Sequence, residues 1–384
     1  MLVYGSFITL RYLIFIMSML YFAYRTITFG YIIKKDIFYL DILLFLLVII
    51  FSSINGLLRN HDFSDVIKNL QGYLYILMYF PLSLIINTPK KAIKAKKIFI
   101  NASVVLSIVS LIIFMVFYLD NSFYYVISPI LDKYTYGYIS LRYGLPAVFL
   151  KTCPYIAISF ILLFYEIIYL KISRKILVYV KLLILMFGST ITMSVGIWIS
   201  VFIGLFFIFI IAKGKYRLIS IIAILAIAVV LIALLYDYII VVLNSRFSVT
   251  DSSYIIKKDQ LFVLFKHWLD NVFIGKGFGY KIVFNTIYGE RFMLNYELFW
   301  LQVLLNMGIC GILIYFKIFY KLYFKTKKLF FKLYLYEKVH LSSLLVGLLM
   351  LCVVSSVNPF LNNPIGIGYM LLVMVSVSAY YKNI

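Results

Sequence analysis

Apolar runs about as long as a bilayer is thick recur from one end of this sequence to the other, and no soluble core can absorb them. A membrane-spanning helix needs about 20 mainly apolar residues. Eleven such runs lie near 3–23, 37–58, 69–87, 98–119, 144–169, 176–190, 195–212, 218–243, 298–320, 339–357 and 364–381. The alternating apolar–polar dyads of a membrane barrel are absent, so the runs are expected to be helices. The first run has neither a basic leader nor an A-x-A-like site, and it reads as part of the mature chain. The expected fold is an all-α integral membrane bundle of about 11 transmembrane helices. It forms a single polytopic domain over 1–384, with one large external loop, 244–297, between the eighth and ninth spans.

A formal net charge of +22 raises the question of nucleic acid, and the distribution of the charge answers it. Connectors 24–36, 88–97, 170–175, 213–217 and 321–338 and the carboxyl-terminal tail carry 21 of the 36 Lys and Arg. The alternating connectors carry only Arg59, Lys68, Lys133 and Arg142. Such asymmetry places the lysine-rich set in the cytoplasm, where lysines also favour anionic headgroups. No nucleic-acid partner is implied. The expectation is a multi-pass protein of the bacterial inner (plasma) membrane with a cytoplasmic carboxyl terminus and an external 244–297 loop. The seven basic residues of that loop do not set topology, because long loops cross largely regardless of charge. They are available for another purpose.

The residue types narrow the chemistry. Cys153, Cys310 and Cys352 fall in separate apolar runs, and His61, His267 and His340 are scattered, so neither a disulfide framework nor metal-ligand spacing is present. The GKGFG stretch at 275–279 lacks the preceding strand of a phosphate fingerprint. Neither a metal nor a cofactor is expected. In the seventh run, Thr192, Gly196, Ser200 and Gly204 recur every four residues and form a small-residue ridge for helix packing. In the ninth, Glu297, Leu301, Leu304, Gly308 and Gly311 are expected on one helical face, with the carboxylate at the outer mouth of the span. Lys151 is expected about two turns inside the fifth span, lining the same cavity.

Four stretches, in order, resemble the superfamily of bacterial O-antigen polymerases and O-antigen ligases. RYGLPAVF at 142–149 is similar to the arginine–glycine stretch that opens a mid-chain span, and TMSVGIW at 192–198 to a T-x-S-R-G-x-W motif. The run from NSRF at 244–247 through DNVFIGKGFG at 270–279 resembles an arginine-rich external loop ending in P-L-x-G-x-G-x-G. ELFWLQVLLNMGICG at 297–311 resembles the returning helix, which begins with His-Asn in ligases. The chain departs at Val195, where the motif has arginine, and at Val272, where it has proline. Glu297 and Leu298 replace His-Asn, which moves the balance from ligase to polymerase. Lys257 or Lys258 stands where a second loop arginine is expected.

The resemblance implies a glycosyltransferase that joins undecaprenyl-diphosphate-linked oligosaccharides into O-antigen, capsular or other surface polysaccharide, independent of nucleotide and metal. Arg142, Arg246 and Lys257 or Lys258 would offset the charge developing on the diphosphate, and Glu297 would serve as general base toward the acceptor hydroxyl. Trp268, Phe278 and Tyr280 offer faces for sugar rings. Membrane lipid, a chain-length regulator and a flippase are the partners implied. A ligase transferring glycan to lipid A-core or protein, and a polysaccharide flippase, are the alternatives. The flippase is disfavoured because no corresponding Gly/Pro-interrupted segments occur in the two halves.

Overall fold

The computed structural model describes residues 10–30, 36–133, 136–142, 145–170, 176–211, 252–286 and 289–383. The expected eighth span and Arg246 lie outside the described residues. The helices are α1 (Leu10–Phe29), α2 (Tyr39–Leu58), α3 (Phe63–Tyr73), α4 (Tyr79–Ile85), α5 (Pro89–Leu119), α6 (Phe123–Lys133), α7 (Cys153–Leu170), α8 (Ile176–Thr190) and α9 (Val195–Ile211). Later in the chain come α10 (Ser252–Leu269), α11 (Phe299–Leu329), α12 (Leu335–Ser355) and α13 (Pro364–Lys382). Two antiparallel hairpins join them, β1 (Gly137–Arg142) with β2 (Leu145–Leu150) and β3 (Ile282–Thr286) with β4 (Gly289–Met293). Seven of the helices, α1, α2, α5, α7, α11, α12 and α13, are long and apolar enough to cross a membrane, and α8 and α9 are shorter apolar helices. The chain has the build of a multi-pass helical membrane protein.

The bundle centres on α7, which is buried along most of its length and packs against α5, α8, α9 and α12. The small-residue ridge does what its spacing implies. A side chain at Gly204 would meet Met350 of α12 and Ile161 of α7, and one at Gly196 would meet Val357, so α9 lies close to both neighbours. Thr192 precedes the helix, and its hydroxyl donates to the Ser189 carbonyl at 2.8 Å. At the end of the bundle expected to be cytoplasmic, charges are paired. Lys96, 1% exposed, meets Glu166 at 2.8 Å. Asp41 takes Lys321 at 2.5 Å, and Asp36 takes Lys382 at 2.7 Å.

Three expected spans take other forms. The run 69–87 is α3, a 3-10 stretch (Leu74–Met78) and α4 in succession. Pro81 explains the interruption, since its ring crowds the carbonyl of Leu77 and its nitrogen has no proton to donate. The run 144–169 begins as strand β2, whose Leu145–Leu150 pairs with β1, and only then becomes α7. Lys151 consequently lies in the turn before α7, exposed, rather than two turns inside a helix.

The run 298–320 doubles back on itself. Gly308 has φ 64° and ψ −159°, values no helix holds. Val303 stands against Gly311, the Phe299 and Tyr315 rings lie 5.5 Å apart, and the Trp300 and Phe316 rings 6.3 Å apart. Residues 15 or 16 apart would be separated by more than 20 Å along a straight helix. α11 is therefore a helical hairpin, with a short arm 299–307 folded antiparallel onto a long arm 309–329. The expected single face from Glu297 to Gly311 does not exist: Glu297 precedes the helix and Gly308 is the reversal itself.

Candidate functional site

The hairpin of α11 is held open by the glycine-rich stretch. The Lys276 and Gly277 amides donate to the Leu305 and Asn306 carbonyls at 2.6 and 3.1 Å, and the Ile309 amide donates back to the Val272 carbonyl at 3.0 Å. From α2, the Ser52 carbonyl accepts from the Phe278 amide at 3.1 Å, and the Asn55 amide side chain donates to the Gly275 carbonyl at 3.2 Å. Peptide groups freed by the break are thus paired inside the protein, as an apolar setting demands. Gly277 has φ 85°, and a Cβ there would strike the backbone of Gly56; a Cβ at Gly308 would strike the Phe273 carbonyl. Residues 272–279 are therefore a packed insert, held by backbone contacts to α2 and α11. Phe278, expected to face sugar, is fully buried and stacks on Tyr73 at 5.4 Å.

Beside the short arm of α11, the charged residues gather. Lys257 and Gln260 are three residues apart and share a face of α10. Gln260, fully buried, accepts from the Glu297 amide at 3.0 Å, and Lys257 Nζ reaches Glu297 Oε2 at 3.2 Å. Tyr296 fixes the approach, since it is buried and its hydroxyl donates to the Met293 carbonyl at 2.8 Å. Lys258 is exposed on another face of the helix, so of the two lysines Lys257 is the one brought to the carboxylate.

Arg142 lies on the β1–β2 hairpin. On β1, Tyr138 and Arg142 are four residues apart and point the same way. The guanidinium donates to the Tyr138 hydroxyl at 2.9 Å and to the Met193 carbonyl at 2.8 Å. Met193 has φ 48°, a left-handed value that is costly for a side chain of this size and that turns its carbonyl toward Arg142. The Val148 amide donates to the Ile191 carbonyl at 3.1 Å, and Trp198 packs onto Ala147 and Met193. Two of the stretches that carry the resemblance, 142–149 and 192–198, thus form one unit, while 270–279 and 297–311 form another.

Tyr138, on the first unit, feels the charge of Glu297, on the second. Burial raises its pKa above the ordinary phenol value; Arg142 opposes the shift and Glu297 adds to it. The phenol is protonated at neutral pH and within electrostatic reach of both the guanidinium and the carboxylate. The second unit thus presents an ammonium beside a carboxylate 40% exposed, and the first a phenol and a guanidinium with two of its five donors engaged. Such a set can bind an anion while offering a proton acceptor.

Other expected residues sit apart. Trp268 is 11 residues from Lys257, about 16 Å along α10, and donates from Nε1 to the Val272 carbonyl at 3.1 Å. Tyr280 shares a hydrogen bond of 3.0 Å with His267 Nδ1, beside His61 and Lys276. Lys151 feels the charge of Arg11 on α1 rather than joining Glu297. Tyr138 and Gln260 were not expected from the sequence. The Tyr-x-Ser-x-Arg alternation at 138–142 marks the first as strand-borne, and the i, i+3 spacing from Lys257 marks the second. Among the described residues, no three His, Cys, Asp or Glu side chains come together as metal ligands. Compared with known proteins, the chain matches no family model, no curated protein and no solved structure.

Proposed function

We propose that this chain is a membrane glycosyltransferase that polymerises undecaprenyl-diphosphate-linked repeat units into a surface polysaccharide at the external membrane face. The observation that carries the reading is the contact of Lys257 with Glu297 at 3.2 Å, with Arg142 held by Tyr138 on the other unit. A diphosphate docks against the ammonium and guanidinium, Arg142 supplying a planar fork suited to phosphate oxygens. Glu297 takes the proton of the acceptor hydroxyl as its oxygen bonds to the anomeric carbon. The anomeric carbon–oxygen bond breaks with its electron pair on the diphosphate, whose growing charge the cations stabilise. The leaving group carries the activation, so no nucleotide is needed. Arg246 is proposed as a further diphosphate cation, and Trp268 and Tyr280 as contacts for sugars farther along the chain.

A flippase is the second reading, favoured by one observation: α11 and the α3–α4 run are discontinuous, a device transporters use around a substrate. The α11 break is filled by residues 272–279 and leaves no passage there, which favours the enzyme. Deleting the gene and resolving surface glycan on gels separates the readings. A surface glycan of single repeats supports the polymerase; absence of any capped glycan indicates the ligase; loss of external lipid-linked repeats indicates the flippase.

A further inference from the structure

A second feature has no part in the proposed reaction. Between α2 and the long arm of α11 runs a groove of about 430 Å³, within the size range of ligand sites. Leu44, Leu47, Phe51 and Leu313 form its walls, all more than a third exposed. Ile274 of the glycine-rich insert closes one end, and Lys317 stands at the other. Lys317 is half-exposed and 3.5 Å from Asp41, whose other oxygen already takes Lys321 at 2.5 Å. Two ammoniums on one carboxylate leave a positive charge at the groove's mouth. Lys325 and Lys328 continue the basic face along the helix.

Length and charge together specify an occupant. From Cys310 to Lys317 the long arm of α11 rises about 10 Å, within the roughly 15 Å that one leaflet contributes to the hydrocarbon thickness of a bilayer. An acyl chain of one leaflet fits that length, and its headgroup then falls beside Lys317. We infer that the groove binds an anionic phospholipid of the leaflet on the lysine-rich side, with one chain against Leu47 and Leu313 and its phosphate at Lys317. The excess charge selects acidic over zwitterionic headgroups, and the position of Ile274 lets the bound chain brace the α11 hairpin from below.

Native mass spectrometry of the full chain in detergent tests this directly, with phosphatidylglycerol, phosphatidylcholine of identical chains, and polyprenyl phosphate as probes. The first phosphatidylglycerol adduct is expected to form about fivefold more tightly than the phosphatidylcholine adduct, the effect of one basic residue near a headgroup. Lys317→Gln is expected to abolish that advantage. Cys310, exposed and lining the groove, supplies a readout that needs no folding-sensitive variant. Its alkylation rate, followed by peptide mass analysis, is expected to fall on saturation with phosphatidylglycerol, and to fall less in Lys317→Gln at the same lipid concentration. Equal binding of the two phospholipids, a preference unchanged by Lys317→Gln, or an unaltered Cys310 rate overturns the inference. Slowing of Cys310 alkylation by polyprenyl phosphate but not by phosphatidylglycerol overturns the assignment to a phospholipid.

Discussion

The middle and the ends of the 252–297 segment are fastened in opposite ways. Residues 272–279 are held by backbone: their amides and carbonyls pair with α2 and with the reversal of α11, and Phe278 is wholly buried. Lys257 and Glu297 are held by side chains, and those side chains are 29% and 40% exposed. Backbone fastening tolerates almost no added atom, whereas side-chain fastening leaves reactive groups open to a ligand. Within the resemblance, then, the glycines build the scaffold and the charged residues stay open to a ligand.

Substitutions on the two sides should differ in kind. Gly277→Ala places a Cβ against Gly56 in a left-handed backbone and is expected to abolish accumulation of folded protein, read by size-exclusion chromatography of a fluorescent fusion. Normal accumulation would mean the insert is not part of the scaffold. Arg142→Ala should leave accumulation near parental and reduce chain extension by about 10²–10³-fold, the usual cost of one preorganised charge-stabilising donor. Arg142→Lys should recover part of this, since charge is retained but the fork is lost. Lys257→Gln should lower extension by about 10–100-fold, the worth of a charge-assisted hydrogen bond, and Lys258→Gln should not. Equal losses at the two lysines would contradict the contact with Glu297.

The smallest effect concerns the outer latch of the insert, where Lys281 pairs with Asp65, which also takes Lys68 at 2.8 Å. Burial raises the Asp65 pKa, and Lys281 and Lys68 more than offset it, so the carboxyl titrates below its ordinary 3.8. A depressed folded value stabilises above the unfolded one and loses that contribution as pH falls through the folded value. Hydrogen exchange at residues 278–284 should therefore quicken below about pH 4 in the parent. In Asp65→Asn it should be fast already at neutral pH.

How much of this was legible in the sequence depends on whether a feature is local. Apolar runs gave α2, α8, α9, α12 and α13 close to their observed limits, because a helix that must bury its own backbone needs only length and composition; α5 begins nine residues before its run and α1 ends six residues beyond its own. They failed where the chain changes course. Hydropathy sums residues without direction, so a reversal at Gly308 looks like a continuous span; its cause is contact with Phe273, 35 residues earlier. The strand at 145–150 was absorbed into α7 because LPAVFL is as apolar as a helix, while its pairing with Tyr138 and Arg142 was the deciding feature. At the site, Glu297, Arg142 and Lys257 are recognisable by type, but their contacts are not. Glu297 meets Gln260 across 37 residues, and Arg142 meets Met193 across 51.

The central claim is that Glu297 accepts the proton of the acceptor hydroxyl. Its direct test is an assay of purified protein with lipid-linked repeat units, comparing the parent with Glu297→Gln. The substitution keeps the size of the side chain and its backbone bond to Gln260, and removes only the negative charge. General-base catalysis contributes roughly 10²–10⁴-fold, so extension should fall by a comparable factor while single repeats accumulate at unchanged protein level. Parental activity in Glu297→Gln would contradict the claim and leave the carboxylate as a partner of Lys257 alone.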